Sequence, residues 1–410
     1  MAGKGRDRTP HIGIYGRRNY GKSSLINSIA GQEIAIVSDT PGTTTDPVKK
    51  SFEITGFGPV VLVDTAGIDD TGELGLKRVH KTVHSIDTVD MAILITGENN
   101  WGDFEEEIVA RFNDQDIPFI VLTGKADMTS PDEEFIEVVK SATGKNVIPF
   151  SAFDPDSREE LIDLIKETIP THSMKLDTLL GDLISHGDIV LLITPIDVEA
   201  PEGRLILPQV QVIRDIIDND AVAIVLKEKE VDAFLRNTGI KPALAVTDSQ
   251  VFVKADASVP PEVPLTSFSI LLARQKGDFE NYLKGTPAIS SLRDGDRVLL
   301  LESCTHHVAC DDIGRVKIPR WLTGFTGRKL EIDVVAGLDV LPRPVTDYSL
   351  VIQCGGCMIT ARQLRQRLRA AVKAGVPVTN YGMAIAYVQG IYNRAVAPFM
   401  KGEPGESTYL

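Results

Sequence analysis

Gly16-Arg-Arg-Asn-Tyr-Gly-Lys-Ser23 is the stretch that decides the fold. It fits G-x-x-x-x-G-K-[ST], and its flanks supply the context this motif needs. The apolar run His11-Ile-Gly-Ile-Tyr15 reads as a strand, and Lys22–Ala30 reads as a helix closed by Gly31. In such a loop, backbone N–H groups and the helix N-terminus cradle phosphates. Lys22 is expected to reach the β- and γ-phosphates, and the Ser23 hydroxyl to ligate Mg²⁺. Gly16, Gly21 and Ser24 complete the nucleotide-binding loop.

Outward from this loop, strand and helix signals alternate through residue 170. Pro59–Val63, Met91–Ile95, Pro118–Leu122 and Asn146–Phe150 are buried-strand runs, and Leu161–Ile169 reads as a closing helix stopped by Pro170. This alternation predicts a parallel sheet with helices on both faces. Asp64-Thr-Ala-Gly67 follows one strand, with Asp64 placed for the Mg²⁺ shell and Gly67 to sense the γ-phosphate. Pro41-Gly-Thr-Thr-Thr-Asp46 lies between the two motifs, as a switch loop should, and Thr44 is expected to complete the metal shell.

Base recognition falls to Thr123-Gly-Lys-Ala-Asp127, where Asp127 can accept two hydrogen bonds from guanine and Lys125 can lie against the base. Gly124 stands where Asn is expected, which removes one side-chain hydrogen bond, worth about 1 kcal/mol. These residues resemble the Era/TrmE-type GTPases over roughly 11–170. The resemblance implies that Ser151 and Ala152 belong to the last guanine loop and that GTP is preferred over ATP. It also implies that Asn19 helps bind K⁺ beside the phosphates. Ile68 stands where Ras-like enzymes carry a catalytic Gln, so slow, potassium-stimulated hydrolysis is expected.

Two further α/β segments follow. Strands at Asp188–Ile193, Ala221–Leu226 and Ala243–Thr247 alternate with helices at Leu207–Ile217 and Glu230–Asn237. The proline-rich Ser258–Pro264 marks a boundary. Beyond it, Phe268–Leu283 reads as one helix, Arg297–Leu301 and Tyr348–Ile352 as strands, and Ala361–Ala374 as a helix. The expected class is therefore α/β: a P-loop GTPase domain with a parallel-type sheet over 1–170, then α/β domains over 171–264 and 265–410.

Composition narrows the function. The 410 residues carry a net charge of −14, which argues against a large nucleic-acid surface. No apolar run is long enough to span a bilayer, and the basic N-terminus has no apolar stretch behind it, so a cytoplasmic protein is expected. The 4 cysteines all fall between Cys304 and Cys357, too few for a disulfide scaffold. Three of them form Cys304-Thr-His306 and Cys354-Gly-Gly-Cys357, each just past a strand. Ligands gather at such strand ends. Thiolates suit Zn²⁺, Cu(I) or iron–sulfur clusters, and ligand type alone does not separate zinc from [4Fe–4S]. A Cys354–Cys357 redox pair is a further alternative.

A C-x-H, then a C-x-x-C, downstream of an Era-like GTPase, resembles the [FeFe]-hydrogenase maturation GTPases. The stretch from Thr305 to Trp321 and the late Asn380-Tyr-Gly-Met-Ala-Ile-Ala386 share the likeness. The resemblance implies a [4Fe–4S] cluster on Cys304, Cys354 and Cys357, with His306 as a fourth ligand. It implies a homodimer formed through the middle domain. It also implies traffic of a diiron precursor between radical-SAM hydrogenase maturases and apo-[FeFe]-hydrogenase. Gln353 stands where the family pattern has a second His, which leaves the fourth iron to His306, a weak oxygen ligand or water. Cys310 lies outside the pattern and reads as a small buried residue, or else as a spare ligand. The alternative is an RNA-modification or ribosome-assembly GTPase with a structural zinc, against which the acidic charge weighs.

Overall fold

The computed structural model describes residues 9–30, 48–54, 57–65, 85–169, 178–195, 205–303, 312–337 and 339–400. The chain divides into two compact units, Met1–Lys175 and Leu176–Leu410. The expected roles of Thr44, Gly67, Ile68, Cys304, His306 and Cys310 fall outside the described residues.

In the first unit, β1 (His11–Gly16), α1 (Lys22–Ala30), β2 (Val48–Ile54), β3 (Gly58–Asp64) and β4 (Met91–Thr96) are followed by α2 (Asp103–Asp114), β5 (Phe119–Gly124), α3 (Glu133–Thr143), β6 (Val147–Phe150) and α4 (Pro155–Thr168). The sheet runs β2-β3-β1-β4-β5-β6, parallel except for β2 against β3. Apolar runs do not announce β2. Lys49 and Lys50 interrupt it, and Phe52 and Ile54 reach the core. The helix expected from Leu161 starts earlier, at Pro155, because the Asp154 carboxylate accepts from the Asp156 N–H and caps it.

The second unit holds two four-stranded parallel sheets. The first is built from β7 (Ile189–Ile193), α5 (Leu207–Asp218), β8 (Val222–Leu226), α6 (Val231–Thr238), β9 (Leu244–Thr247), α7 (Phe252–Ser258) and β10 (Leu265–Ser267), in the order β10-β9-β7-β8. Its last strand lies just past the proline-rich stretch at 258–264. The helix expected over Phe268–Leu283 is two helices, α8 (Phe268–Lys276) and α9 (Phe279–Gly285). Gly277 breaks them, and the Asp278 carboxylate caps the second by accepting from the Asn281 N–H.

The last sheet comprises β11 (Arg297–Leu301), α10 (Ile318–Thr326), β12 (Glu331–Val335), β13 (Leu350–Gln353), α11 (Ala361–Lys373) and β14 (Val378–Asn380). Helices α12 (Tyr381–Val388) and α13 (Tyr392–Val396) follow it. Its order is β12-β11-β13-β14. The strand order reverses between β11 and β13, as it does around β1 in the first unit. In open parallel sheets ligands bind at the carboxyl ends of strands beside such a reversal. Among the described residues, no helix is long and apolar enough to cross a membrane.

Candidate nucleotide and cysteine sites

The phosphate loop leaves the carboxyl end of β1 and enters α1. Gly16, Asn19 and Gly21 all take positive φ, at 148°, 66° and 99°. Asn tolerates this region because its short amide bonds locally. Helix α1 has no acidic residue in its first turn, so its own sequence does not offset the positive end of its dipole. Lys22 is buried, and its ammonium donates to the carbonyls of Gly16 and Arg17, each at 2.7 Å. Ser23 and Ser24 are exposed. Asp64 sits one strand away, with Ile14 opposite it in register. Burial pushes the Asp64 carboxyl up, and the Lys22 and Lys50 ammoniums pull it back. Lys22 and Asp64 therefore feel each other's charge across the loop mouth.

The base-reading residues meet at the ends of β5 and β6. Ser151 is buried, and its hydroxyl donates to Asp127 Oδ1 at 2.9 Å, which fixes the carboxylate's rotation. The Ala126 N–H donates to the Phe150 carbonyl at 3.1 Å and ties the two loops together. Lys125 is exposed with φ at 56°. Gly124 in place of Asn removes one side-chain hydrogen bond to the base. The structure adds a steric cause. A Cβ at 124 would lie 2.2 Å from the Tyr20 carbonyl oxygen, so the phosphate loop itself occupies the space of a side chain. Tyr20 is held there by its buried ring and by Asn100 Nδ2, which donates to its hydroxyl at 3.2 Å.

Arg17 is a second feature that motif reading passed over. Its guanidinium makes a bidentate pair with the fully buried Glu105 of α2, at 2.8 and 2.7 Å. This pair ties the phosphate loop to a helix 88 residues away in sequence. Such forked pairing is among the stronger charge-assisted contacts.

In the second unit, β11 and β13 are neighbours, with Leu301 opposite Gln353. The described chain leaves β11 as far as Ser303, one peptide bond short of Cys304. The Ser303 N–H donates to Cys354 Sγ at 3.1 Å, and Ser303 Oγ lies 2.9 Å from the same sulfur. Cys354 and Cys357 are both half-buried. Cys354 packs on the core of the last sheet, Cys357 on that of the sheet before it. Between them, Gly356 has φ at 69°, and a Cβ there would lie 2.3 Å from Leu364 Cδ1. Only glycine meets both conditions.

Two cations, one of them fully buried, fix this corner. Lys276 of α8 is fully buried and donates to the carbonyls of Gly356 at 3.0 Å and Ile359 at 3.4 Å. Arg367 of α11 donates to the carbonyls of Glu302 at 2.8 Å and Val335 at 3.2 Å, so it clasps the ends of β11 and β12. Burial pushes the Arg367 guanidinium down, and the charge of Cys354 pulls it back up. Neither residue belongs to a motif. Asn380, in the late stretch singled out above, pairs with Gln353 in register, and its Nδ2 donates to the Gln353 carbonyl at 3.2 Å.

This donor set fits an anionic sulfur-bound group. An N–H aimed at the sulfur, two cations close by and a helix N-terminus just beyond all favour negative charge at this corner. Among the described residues, no three His, Cys, Asp or Glu side chains gather at metal-binding distance. Cys304 and His306 are not among those residues.

The fold and the first site define a P-loop GTPase domain followed by two parallel α/β sheets. Residues 11–125 match the family model described as 50S ribosome-binding GTPase. Residues 179–277 match the hydrogen maturase F dimerization domain, and residues 280–398 its tetramerization domain. The chain belongs to the hydrogen maturase F family. Curated relatives resemble it in the first part alone. The tRNA modification GTPase MnmE of Clostridioides difficile is 36% identical over 164 residues, 40% of this chain and 35% of that protein. The Acaryochloris marina protein of the same name is 34% identical over 168 residues, again 40% and 35%. The chain thus spans about a third of the length of these relatives. Among solved structures, Aquifex aeolicus Era bound to GDP·AlF4⁻ is 19% identical with a TM-score of 0.34, covering 56% of this chain and 98% of that one.

Proposed function

We propose that this protein is a GTP-hydrolysing scaffold that carries a diiron precursor to apo-[FeFe]-hydrogenase. It holds a [4Fe–4S] cluster through Cys304, Cys354 and Cys357. The observation that carries this reading is the contact of Ser303 with Cys354 Sγ. It brings the residue before Cys304 onto the sulfur of the C-x-x-C, at the strand reversal of the domain that matches the tetramerization model. Three thiolates would leave one iron of the cluster open, which is where a cargo fragment can attach and leave. His306 is the remaining side-chain candidate for that position.

At the nucleotide site, Lys22 and the N-terminus of α1 bind the phosphates, Ser23 and Thr44 hold Mg²⁺ with Asp64 behind them, and Gly67 senses the γ-phosphate. Asp127, oriented by Ser151, reads guanine together with Lys125 and Ala152. Asn19 supports a K⁺ beside the phosphates. Hydrolysis gates the binding or release of the radical-SAM maturases and the hydrogenase through the switch loop. Self-association is supported by the edge strand β8, where Val222 and Val225 are 50% and 42% exposed beside Val210 and Ile217 of α5 at 47% and 55%.

Anaerobic reconstitution with iron and sulfide, then EPR after reduction, tests the cluster. The expected signal is that of a reduced [4Fe–4S] cluster, lost in a Cys304/Cys354/Cys357→Ser triple variant. Stoichiometric zinc in protein purified without oxygen overturns the scaffold reading. Steady-state GTPase rates in K⁺ and in Na⁺ test the role of Asn19, with K⁺ the faster.

A further inference from the structure

We propose that Gln353 is a positioning residue for the cysteine site. Its amide N–H, with the backbone N–H of Ser303, hydrogen-bonds the Cys354 sulfur and raises the reduction potential of the cluster bound there. The proposal rests on the cluster reading above.

Gln353 ends β13 with its side chain fully buried. Its backbone is pinned on both sides, against Leu301 and against Asn380. Three neighbours surround its amide nitrogen: Cys354 O at 3.2 Å, Ser303 Oγ at 3.1 Å and Cys354 Sγ at 3.5 Å. The carbonyl decides which way the amide faces, because a carbonyl oxygen only accepts. Turned over, the side chain would set Oε1 against it, two acceptors face to face. The N–H edge is therefore the one presented to the sulfur. Oε1 is buried with no hydrogen-bond partner among the described residues.

This geometry assigns Gln353 a part different from that of a weak oxygen ligand to the open iron. A ligating amide would turn its oxygen to the metal side, whereas this one turns its N–H edge to the Cys354 sulfur. Hydrogen bonds to cluster sulfurs are a principal control of reduction potential. They stabilise the reduced state more, because one-electron reduction from the 2+ to the 1+ core adds negative charge to the sulfurs. The Ser303 N–H at 3.1 Å makes the second such bond, from the strand that leads into Cys304.

The test uses the full-length protein, reconstituted anaerobically and titrated with dithionite while EPR follows the reduced cluster. Gln353→Leu is expected to lower the equilibrium constant for reduction about tenfold, which is about 59 mV for one electron. Iron content and g-values are expected to stay unchanged. Gln353→Asn keeps an amide N–H donor on a shorter arm and is expected to recover part of that shift. If Gln353→Leu does not fold, Gln353→Met, of similar length, takes its place. Equal potentials in wild type and the apolar variant overturn the proposal. Altered g-values in that variant also overturn it, since they mark Gln353 as a ligand. A wild type that gives no reducible cluster overturns the underlying cluster reading instead.

Discussion

The loop after β1 and the loop after β13 solve one physical problem in two ways. Each lies at the carboxyl end of a strand where the order of a parallel sheet reverses, and each has a buried lysine whose ammonium satisfies loop carbonyls. In the first, Lys22 bonds Gly16, 6 residues before it. In the second, Lys276 bonds Gly356, 80 residues after it. The first loop carries its own cation, so eight consecutive residues announce the whole device. The second borrows Lys276 from α8 and Arg367 from α11, and a linear reading meets only the cysteines.

That difference explains what could be read from the chain. The parallel sheets were legible because buried strands such as Met91–Ile95 are continuous apolar runs. The phosphate loop, Asp127 and the cysteine pattern were legible because their chemistry is local. The donors around Cys354 were not, since Ser303, Lys276 and Arg367 are ordinary residues until the fold brings them together. Gln353 was visible as a departure from a pattern, but the direction its amide faces depends on a carbonyl and a serine that only the structure supplies. Strand β2 was missed because an edge strand with one buried face needs few apolar residues. The break at Gly277 was missed because apolar spacing continues across it.

The comparison predicts that the two sites fail separately. The largest effect is expected from Lys22→Ala, which removes the local cation. GTPase kcat should fall about 10²–10³-fold, as for loss of one preorganised electrostatic donor. Iron content after reconstitution should match wild type. A parallel loss of iron would show that the nucleotide loop supports the cysteine site.

Acid should separate the two units next. His11 enters β1, and its pKa is lowered from 6.5 to about 4, chiefly by burial, then by the Lys49 charge, against a hydrogen bond to the Thr9 carbonyl. The Asp90 carboxylate stands 3.8 Å from Nδ1, too far for a hydrogen bond, and already accepts the His11 N–H at 2.8 Å. A lowered histidine pKa means that the folded state favours the neutral ring. Its stabilisation is complete above pH 6.5 and is lost as pH falls toward 4. The loss is about 3 kcal/mol, on the order of 1.4 per unit. Trp101 lies in the first unit and Trp321 in the second, so a Trp321→Phe protein reports the first unit by fluorescence. Its urea midpoint should drop between pH 6.5 and pH 4.5, and His11→Phe should flatten that dependence.

Lys276→Met tests the borrowed cation. It strands two buried carbonyls, at about 1–3 kcal/mol for an unsatisfied group, partly offset by removing a buried charge. A net loss of roughly 2 kcal/mol is expected in the second unit, read from Trp321 in a Trp101→Phe protein. Iron occupancy should fall while GTPase activity holds. Full occupancy would mean that the Gly356 turn keeps its shape without the clamp.

The smallest effect is also the one that ordinary motif logic gets backwards. Restoring the consensus with Gly124→Asn should supply the missing guanine contact and tighten binding by about 1 kcal/mol. The structure predicts the opposite. A Cβ at 124 meets the Tyr20 carbonyl oxygen at 2.2 Å, and that oxygen is backbone of the phosphate loop, between positive-φ residues Asn19 and Gly21. Moving it away costs about 1–3 kcal/mol by analogy with overpacked cores, which exceeds the gain from one hydrogen bond. GDP affinity, measured with a fluorescent analogue, should therefore weaken several-fold in Gly124→Asn. It should weaken about as much in Gly124→Ala, which adds the Cβ without the amide. If Asn tightens binding while Ala weakens it, the loop yields to the side chain, and the collision is relieved when nucleotide draws Tyr20 aside. If both bind as wild type does, the phosphate loop is free to shift and Gly124 is not required by its backbone.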